Sequence, residues 1–302
     1  MSNNHSKVMA ASLTPLNPDF SINQRLFNQH IRRLLDHGCD EVVLFGTTGE
    51  GTSFSVAERK AALQAVVDAD IKPSDLVVAT GCCALPDTIE LTRHALTCGI
   101  HQVLVLPPFY YKTASDQGIY DSFSQLIAQV GHPELQILLY HFPKMAVVKF
   151  SPELIERLVT SFPNQIAGIK DSSGDRQHTQ MLSERFPSLA VYAGSEMFLA
   201  DYLQEGGAGC ISATANITAA LAAKVRDAQT PEQQTEIQRE LSAVRQAIEA
   251  YPLTGALKGL LALASDDEQW NIVRCPLSTF PKEKIQSLAQ QLSRLGFELS
   301  AI

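Results

Sequence analysis

A lysine at the end of an apolar segment is the residue in this chain best suited to covalent chemistry. Lys170 follows the apolar run 166–169, which resembles a buried strand, so its ammonium would enter a partly apolar site. Desolvation disfavours the charged form of a lysine and lowers its pKa toward the range in which the amine attacks a carbonyl carbon. Such an amine can form a Schiff base with a ketone. Pairing with the adjacent Asp171 at a strand end is the competing interpretation, and Lys170 alone favours that one.

Tyr140 and a glycine-rich turn could assist such an amine. Tyr140 ends the apolar run 137–139, and its phenol is either an acid/base partner or the satisfied hydroxyl of a core tyrosine. The turn GTTGEG at 46–51 offers the hydroxyls of Thr47 and Thr48 and close backbone N–H groups, which suit a carboxylate. A tight strand–helix connection explains this turn equally well. No GK[ST] follows, so it is not a P-loop.

Eight short apolar segments could position these groups. Most lack polar–apolar alternation, which is typical of strands buried on both faces of a parallel sheet. They span 8–13, 41–45, 76–80, 102–106, 136–140, 166–169, 189–193 and 209–212. Amphipathic helices separate them; one opens with a capping box at Ser55 and Glu58 and runs to about Asp68.

This alternation predicts an α/β protein, a (β/α)8 TIM barrel whose functional residues lie at the carboxyl ends of the strands. Strands five and six are then neighbours, which brings Tyr140 and Lys170 together. A doubly wound open sheet is the alternative, although no GxGxxG follows the first strand. From about Ala215 the pattern is helical, with helices predicted over 233–248, 253–264 and 281–295. We therefore predict a barrel with the active site over residues 1–225 and a C-terminal helical domain over residues 226–302.

Composition narrows the functional classes. The chain has 302 residues, 45% hydrophobic and 19% charged, as expected for a globular protein. A net charge of −8 argues against a nucleic-acid partner, and the lack of eighteen consecutive apolar residues argues against a membrane span. The start has no apolar run behind a basic cluster, so a cytoplasmic location is expected. The six cysteines lack metal-ligand spacing, so no metal site is expected, and the adjacent pair Cys82-Cys83 is predicted to be two buried, reduced thiols.

Taken together, these motifs resemble one family. GTTGEG at 46–51, Tyr140-x-x-Pro143 and GIKD at 168–171, in this order and spacing, are similar to the dihydrodipicolinate synthase/N-acetylneuraminate lyase family of lysine-dependent (class I) aldolases. The likeness covers nearly the whole chain. It implies a barrel with a C-terminal helical domain, commonly a homotetramer built from two tight dimers. It also implies pyruvate bound as an imine, with no metal or organic cofactor.

The resemblance also implies roles for individual residues. By motif position, Lys170 is the Schiff-base lysine and Tyr140 the proton-shuttling tyrosine. Thr47 is the relay hydroxyl, and Thr48 binds the pyruvate carboxylate with Gly46 beside it among the substrate-binding residues.

Other family positions concern the neighbouring subunit and the far end of the substrate. Tyr111, or Tyr110 as the alternative, matches a tyrosine that enters the neighbour's site. Ile211 matches a residue whose carbonyl faces the site, and Glu196 and Ser212 match positions that touch sugar hydroxyls in the lyases.

Departures from the family pattern bear on the substrate. The synthase arginine that holds the aldehyde's carboxylate is Met145 here, and a thioether cannot make that bidentate contact. Ala146 and Val147 replace the small Ser-Gly of the neuraminate lyases, and Ser195 replaces an acid. Lys144, one position before Met145, could hold an anionic distal group or point to solvent.

We therefore predict a Schiff-base lyase that cleaves or forms a 2-keto-3-deoxy acid, with pyruvate and an aldehyde as the other reactants. The alternatives are a 4-hydroxy-tetrahydrodipicolinate synthase, which joins pyruvate to aspartate semialdehyde, and a dehydratase using the same imine. A non-catalytic pyruvate-binding protein is the least supported, because a pure binder needs no nucleophile.

Overall fold

A computed structural model describes residues 6–299 as a closed barrel of eight parallel strands in chain order. Each strand pairs with the next, and β8 pairs with β1. The strands are β1 Lys7–Ala11, β2 Glu41–Leu44, β3 Leu76–Ala79, β4 Gln102–Val105, β5 Gln136–His141, β6 Ile166–Asp171, β7 Ala190–Ala193 and β8 Gly209–Ser212. The predicted TIM barrel is confirmed, and the open sheet was wrong.

Helices surround the barrel and extend beyond it. They are α1 Gln24–Asp36, α2 Val56–Val67, α3 Leu85–Thr97, α4 Asp116–Val130, α5 Pro143–Ala146, α6 Pro152–Ser161, α7 Arg176–Arg185, α8 Leu199–Gln204, α9 Ala215–Asp227, α10 Pro231–Glu249, α11 Leu253–Ser265 and α12 Lys282–Arg294. Ser55 and Glu58 form the predicted capping box at the start of α2. None of the helices in residues 6–299 is both long and apolar enough to cross a membrane.

The strands are buried on both faces, which explains their unbroken apolar character. In β2, Val42 and Leu44 pack toward the helices, whereas Val43 belongs to a second cluster inside the barrel. The interior cluster also contains Tyr140 and Ile211. Because successive side chains of a strand point to opposite faces, these two layers decide which strand-end residues can face the site.

The last helices share a core with the barrel. Trp270 and the apolar faces of α10, α11 and α12 form a cluster that also includes Leu13 and Leu26 from the first βα unit. Helix α9 runs to Asp227, across the predicted boundary between residues 225 and 226, which stays a prediction.

Two details differ from the sequence-based expectations. Strand β6 continues two residues beyond the predicted 166–169, so Lys170 and Asp171 lie within the strand and pair with β5. The six cysteines are unpaired; Cys82 is half-buried and Cys83 is exposed. The prediction of a buried thiol was wrong for Cys83, because it lies in an irregular segment outside the helices and strands.

Candidate active site

Adjacent strands bring the two central residues together. Tyr140 of β5 is paired in register with Lys170 of β6. The Lys170 amine lies 3.4 Å from the Tyr140 hydroxyl and 4.4 Å from the centre of its ring. The side chains are 5% and 3% exposed, so the pair lies in a nearly dry environment. An amine and a phenol in contact can exchange a proton, which the chemistry of a Schiff base requires.

Thr47 extends this pair into a chain of three groups. Its Oγ1 lies 3.4 Å from the Tyr140 hydroxyl. Both contacts of Tyr140 are long for hydrogen bonds, which is common in active sites before a substrate draws the groups together. Phe142 stacks on the Tyr140 ring at 5.6 Å and holds the phenol in place. The structure therefore brings together three of the four residues predicted to be catalytic.

The backbone conformation of the turn that carries Thr47 and Thr48 is tightly constrained. Phe45, just before the turn, and Glu50, within it, adopt positive φ angles of 57° and 58°. A Cβ on Gly51 would lie 1.8 Å from the Phe45 carbonyl oxygen, so only glycine fits there. A Cβ on Gly46, by contrast, would meet nothing within 4 Å. The turn thus has one permitted shape and leaves open space next to the half-buried threonines.

A polar cluster behind β5 and β6 was missed from the sequence. Asp171 points away from the barrel interior and accepts hydrogen bonds from His178 at 2.9 Å, from Thr179 at 2.7 Å and from Ser173. Burial raises the pKa of Asp171, but the bonds from His178, Thr179 and Ser173 outweigh it and leave that pKa below its usual value. Asp171 is therefore ionised, and its carboxylate oxygens accept hydrogen bonds from these other groups. It is not the ion-pair partner that was considered for Lys170.

His141 completes this cluster, whose donor atoms lie within 4.8 Å of one another as they would around a metal ion. The geometry of this cluster does not fit a bound metal ion. The rings of His141 and His178 are stacked at 4.8 Å, and in-plane lone pairs of stacked rings do not converge on one point. His141 Nδ1 accepts from the Phe150 amide, and burial lowers the pKa of His141 to about 4. The positions of His141 after Tyr140 and of Asp171 after Lys170 were the sequence signal for this cluster, and His178 had none.

Glu196 and Ser212 lie in a buried polar cluster. Both are fully buried, and the Glu196 carboxylate contacts Ser212, Thr214, Thr218 at 3.0 Å and Arg245 at 2.9 Å. Burial raises the pKa of Glu196, but Arg245 and the two nearer hydroxyls outweigh it and keep the carboxylate ionised. Both were predicted to bind substrate, and that role stays a prediction; in this chain their polar atoms bond to each other, to Thr214 and to Arg245 of α10.

The alternation of side chains along β8 explains the position of Ser212. Ile211 belongs to the interior cluster and Cys210 to the helix-facing one. Ser212 must then point outward with Cys210. Ile211 does lie at the barrel interior, and the role of its carbonyl stays a prediction.

The remaining predicted residues lie on loops at the carboxyl ends of the strands. Tyr110 and Tyr111 are 72% and 74% exposed, with their rings edge to face. In the described part of this chain no hydrogen bond joins Tyr111 to Tyr140, so the role of Tyr111 stays a prediction. Lys144 is exposed, with its amine over the β6–α7 loop, where a Cβ on Gly174 would lie 2.7 Å away. Met145 is 61% exposed.

Comparison with known proteins places this arrangement in a family. The family model described as the dihydrodipicolinate synthetase family matches residues 4–295. The chain belongs to that family. It is 34% identical to an uncharacterised DapA-like lyase of Chloroflexus aurantiacus over 95% of this chain and 96% of that one. It is 28% identical to the 4-hydroxy-tetrahydrodipicolinate synthase of Bacillus subtilis over 97% and 100% of the two chains.

A solved structure also supports membership of this family. The crystal structure of dihydrodipicolinate synthase from Agrobacterium tumefaciens superposes with a TM-score of 0.87 at 32% identity, covering 95% of this chain and 98% of that chain. The protein is thus an enzyme of the dihydrodipicolinate synthetase family, a lyase of the class I aldolase type.

Proposed function

We propose that this lyase cleaves or forms a 2-keto-3-deoxy acid through an imine between pyruvate and Lys170. The observation that carries the proposal is the buried contact of 3.4 Å between the Lys170 amine and the Tyr140 hydroxyl. A nucleophile and a proton carrier in contact, enclosed by apolar strands, are the minimum for imine chemistry. The imine itself withdraws the electrons, so the reaction has no need of a metal or organic cofactor.

The reaction would proceed in four steps. The Lys170 amine adds to C2 of the keto acid, and the Tyr140 hydroxyl gives its proton to the departing water, which leaves an iminium and a phenolate. The Tyr140 phenolate, relayed through Thr47, takes the proton of the C4 hydroxyl, and the C3–C4 bond breaks. The aldehyde departs, and the bond electrons remain as an enamine. Protonation at C3 and addition of water to C2 then release pyruvate and restore the amine.

The carboxylate of the keto acid would lie against the GTTGEG turn. Thr48 and the open space at Gly46 support this placement, because hydroxyl and backbone N–H donors bind a carboxylate well. We also propose a cytoplasmic homotetramer in which Tyr111 of a neighbouring subunit completes the proton relay. The exposure of both loop tyrosines supports this assembly, since large aromatic side chains are enriched at interfaces.

The aldehyde half is proposed to be neutral or hydroxylated, because Met145 stands where the synthases have an arginine. We expect pyruvate release from hydroxylated 2-keto acids to exceed condensation of pyruvate with aspartate semialdehyde. A lactate-dehydrogenase-coupled screen of sugar-acid cleavage, run beside the condensation assay, tests this. Met145→Arg should raise the condensation rate by about tenfold, the value of one charge-assisted contact. Efficient condensation by the wild type would instead establish the synthase as the function.

Lys144 gives a second test of the distal end of the substrate. If its amine turns from the β6–α7 loop toward the substrate, Lys144→Met should raise KM for a keto acid ending in an anion, by about three- to tenfold. A neutral analogue should keep its KM, because only the charge is lost. Lys149→Met, at another exposed lysine on the loop after α5, is the matched control. Equal KM changes for both substrates, or no change, would assign Lys144 to the protein surface.

A further inference from the structure

A fully buried ion pair joins the GTTGEG turn to the C-terminal helices. Glu50 of the turn and Lys258 of α11 are 2% and 0% exposed, and they form an ion pair. The Lys258 amine also donates to the Ile272 carbonyl at 2.7 Å, while the Arg274 amide donates to the other Glu50 oxygen at 2.7 Å. Both carboxylate oxygens are therefore held by residues that follow the barrel in the chain.

Backbone hydrogen bonds within the turn connect Glu50 to the segment that carries Thr47 and Thr48. The Glu50 amide donates to the Thr47 carbonyl at 3.2 Å, and the Gly51 amide donates to the Gly46 carbonyl at 3.1 Å. Glu50 lies in the left-handed region, which is costly for a residue with a side chain and persists only where the surroundings enforce it. With so tight a backbone, a shift of Glu50 moves Thr47 and Thr48 as well.

Stability alone does not account for the pair. Burying two charges costs about as much as their attraction returns, and apolar residues of similar volume often serve as well. A carboxylate held at both oxygens does, however, fix its own backbone in orientation as well as position. Burial lowers the pKa of Lys258, and Glu50 opposes that effect by favouring the charged form.

We propose that Lys258 is a positioning residue of the active site: through Glu50 it sets the turn that presents Thr47 to Tyr140 and Thr48 to the carboxylate of the keto acid. The C-terminal helical region is then a part of the catalytic apparatus. This inference rests on the proposed function, in which that turn binds pyruvate.

The test is the double variant Glu50→Gln/Lys258→Met, which removes both charges so that neither is left buried and unpaired. Its folding is checked by thermal unfolding, and pyruvate binding by borohydride trapping at increasing pyruvate concentrations. We expect half-saturating pyruvate to rise at least about tenfold, while the fully trapped fraction remains accessible at high pyruvate. A folded double variant with wild-type half-saturation overturns the proposal.

Arg274→Gln is the matched control. Its guanidinium binds Glu58 and the Ser53 carbonyl at the start of α2, whereas the Glu50 contact is made by its backbone amide. This variant loosens another attachment of the same C-terminal segment. We expect a lower unfolding temperature with nearly unchanged half-saturating pyruvate. An equal rise in both variants would mean that any loosening suffices, and would overturn the specific role of Lys258.

A measurement on the wild type avoids any folding defect. If the turn and α11 are coupled, trapping pyruvate should slow hydrogen exchange in residues 253–265 more than in residues 282–294 of α12. Unchanged exchange in residues 253–265 would overturn the coupling. The two proposals fail separately: a wild type that traps no pyruvate refutes the proposed function, whereas normal trapping with no effect of the double variant refutes only the positioning role.

Discussion

Borohydride added with pyruvate is expected to attach a reduced pyruvate group covalently to the wild type and to leave Lys170→Ala unmodified. An imine is reducible to a stable secondary amine, and only an amine beside the bound ketone forms one. The Lys170 amine is the one that contacts the Tyr140 hydroxyl. Turnover should fall to background in the variant, because no other group can supply the electron sink. Intact-mass analysis and peptide mapping measure the adduct.

Lys149→Ala is the control for this experiment, because Lys149 is an exposed lysine on the loop after α5. It should be trapped as completely as the wild type. An adduct that survives Lys170→Ala would mean that borohydride captured a surface imine. A wild type without any adduct would contradict the assignment to imine chemistry, whatever its family.

Much of the barrel could be predicted because its strands are buried on both faces. Continuous apolar runs mark such strands, and chain order in a closed barrel makes strands five and six neighbours, which is enough to place Tyr140 beside Lys170. The end of β6 was harder to place, because Lys170 and Asp171 are polar and give no apolar signal. The strand continues through them since the backbone pairing with β5 persists to His141.

Contacts between distant segments were beyond the sequence. Arg245 reaches Glu196 across 49 residues, and Lys258 reaches Glu50 across 208. No periodicity or local propensity encodes either pairing. The outward direction of Ser212, by contrast, follows from strand alternation once Ile211 is placed inward. The match of Ser212 to a family position did not use that alternation, and its role in binding substrate stays a prediction.

Tyr140→Phe is expected to lower turnover by about 10²- to 10⁴-fold, the usual contribution of a general acid or base, while imine formation is affected less. The substitution keeps the ring that stacks on Phe142 and lies 4.4 Å from the Lys170 amine, so packing is preserved and only the hydroxyl is lost. Without it, none of the residues that the structure describes offers the Lys170 amine a hydrogen-bonding group to take the proton from the C4 hydroxyl. Single-turnover rates should be measured, because slow product release would hide the defect in steady-state kinetics.

Tyr192→Phe is the matched control for that substitution. Tyr192 pairs with Lys170 from the other neighbouring strand, β7, and it too belongs to the interior cluster. Burial raises the pKa of Tyr192, and Glu41 adds to the effect. Within residues 6–299 the hydroxyl that contacts Lys170 and Thr47 is that of Tyr140, and Tyr192 forms no hydrogen bond with either. Its loss should therefore leave single-turnover cleavage nearly unchanged. If Tyr140→Phe also stayed within a few-fold of the wild type, Tyr140 would be a packing residue, and the proton of the C4 hydroxyl would have to leave by another path.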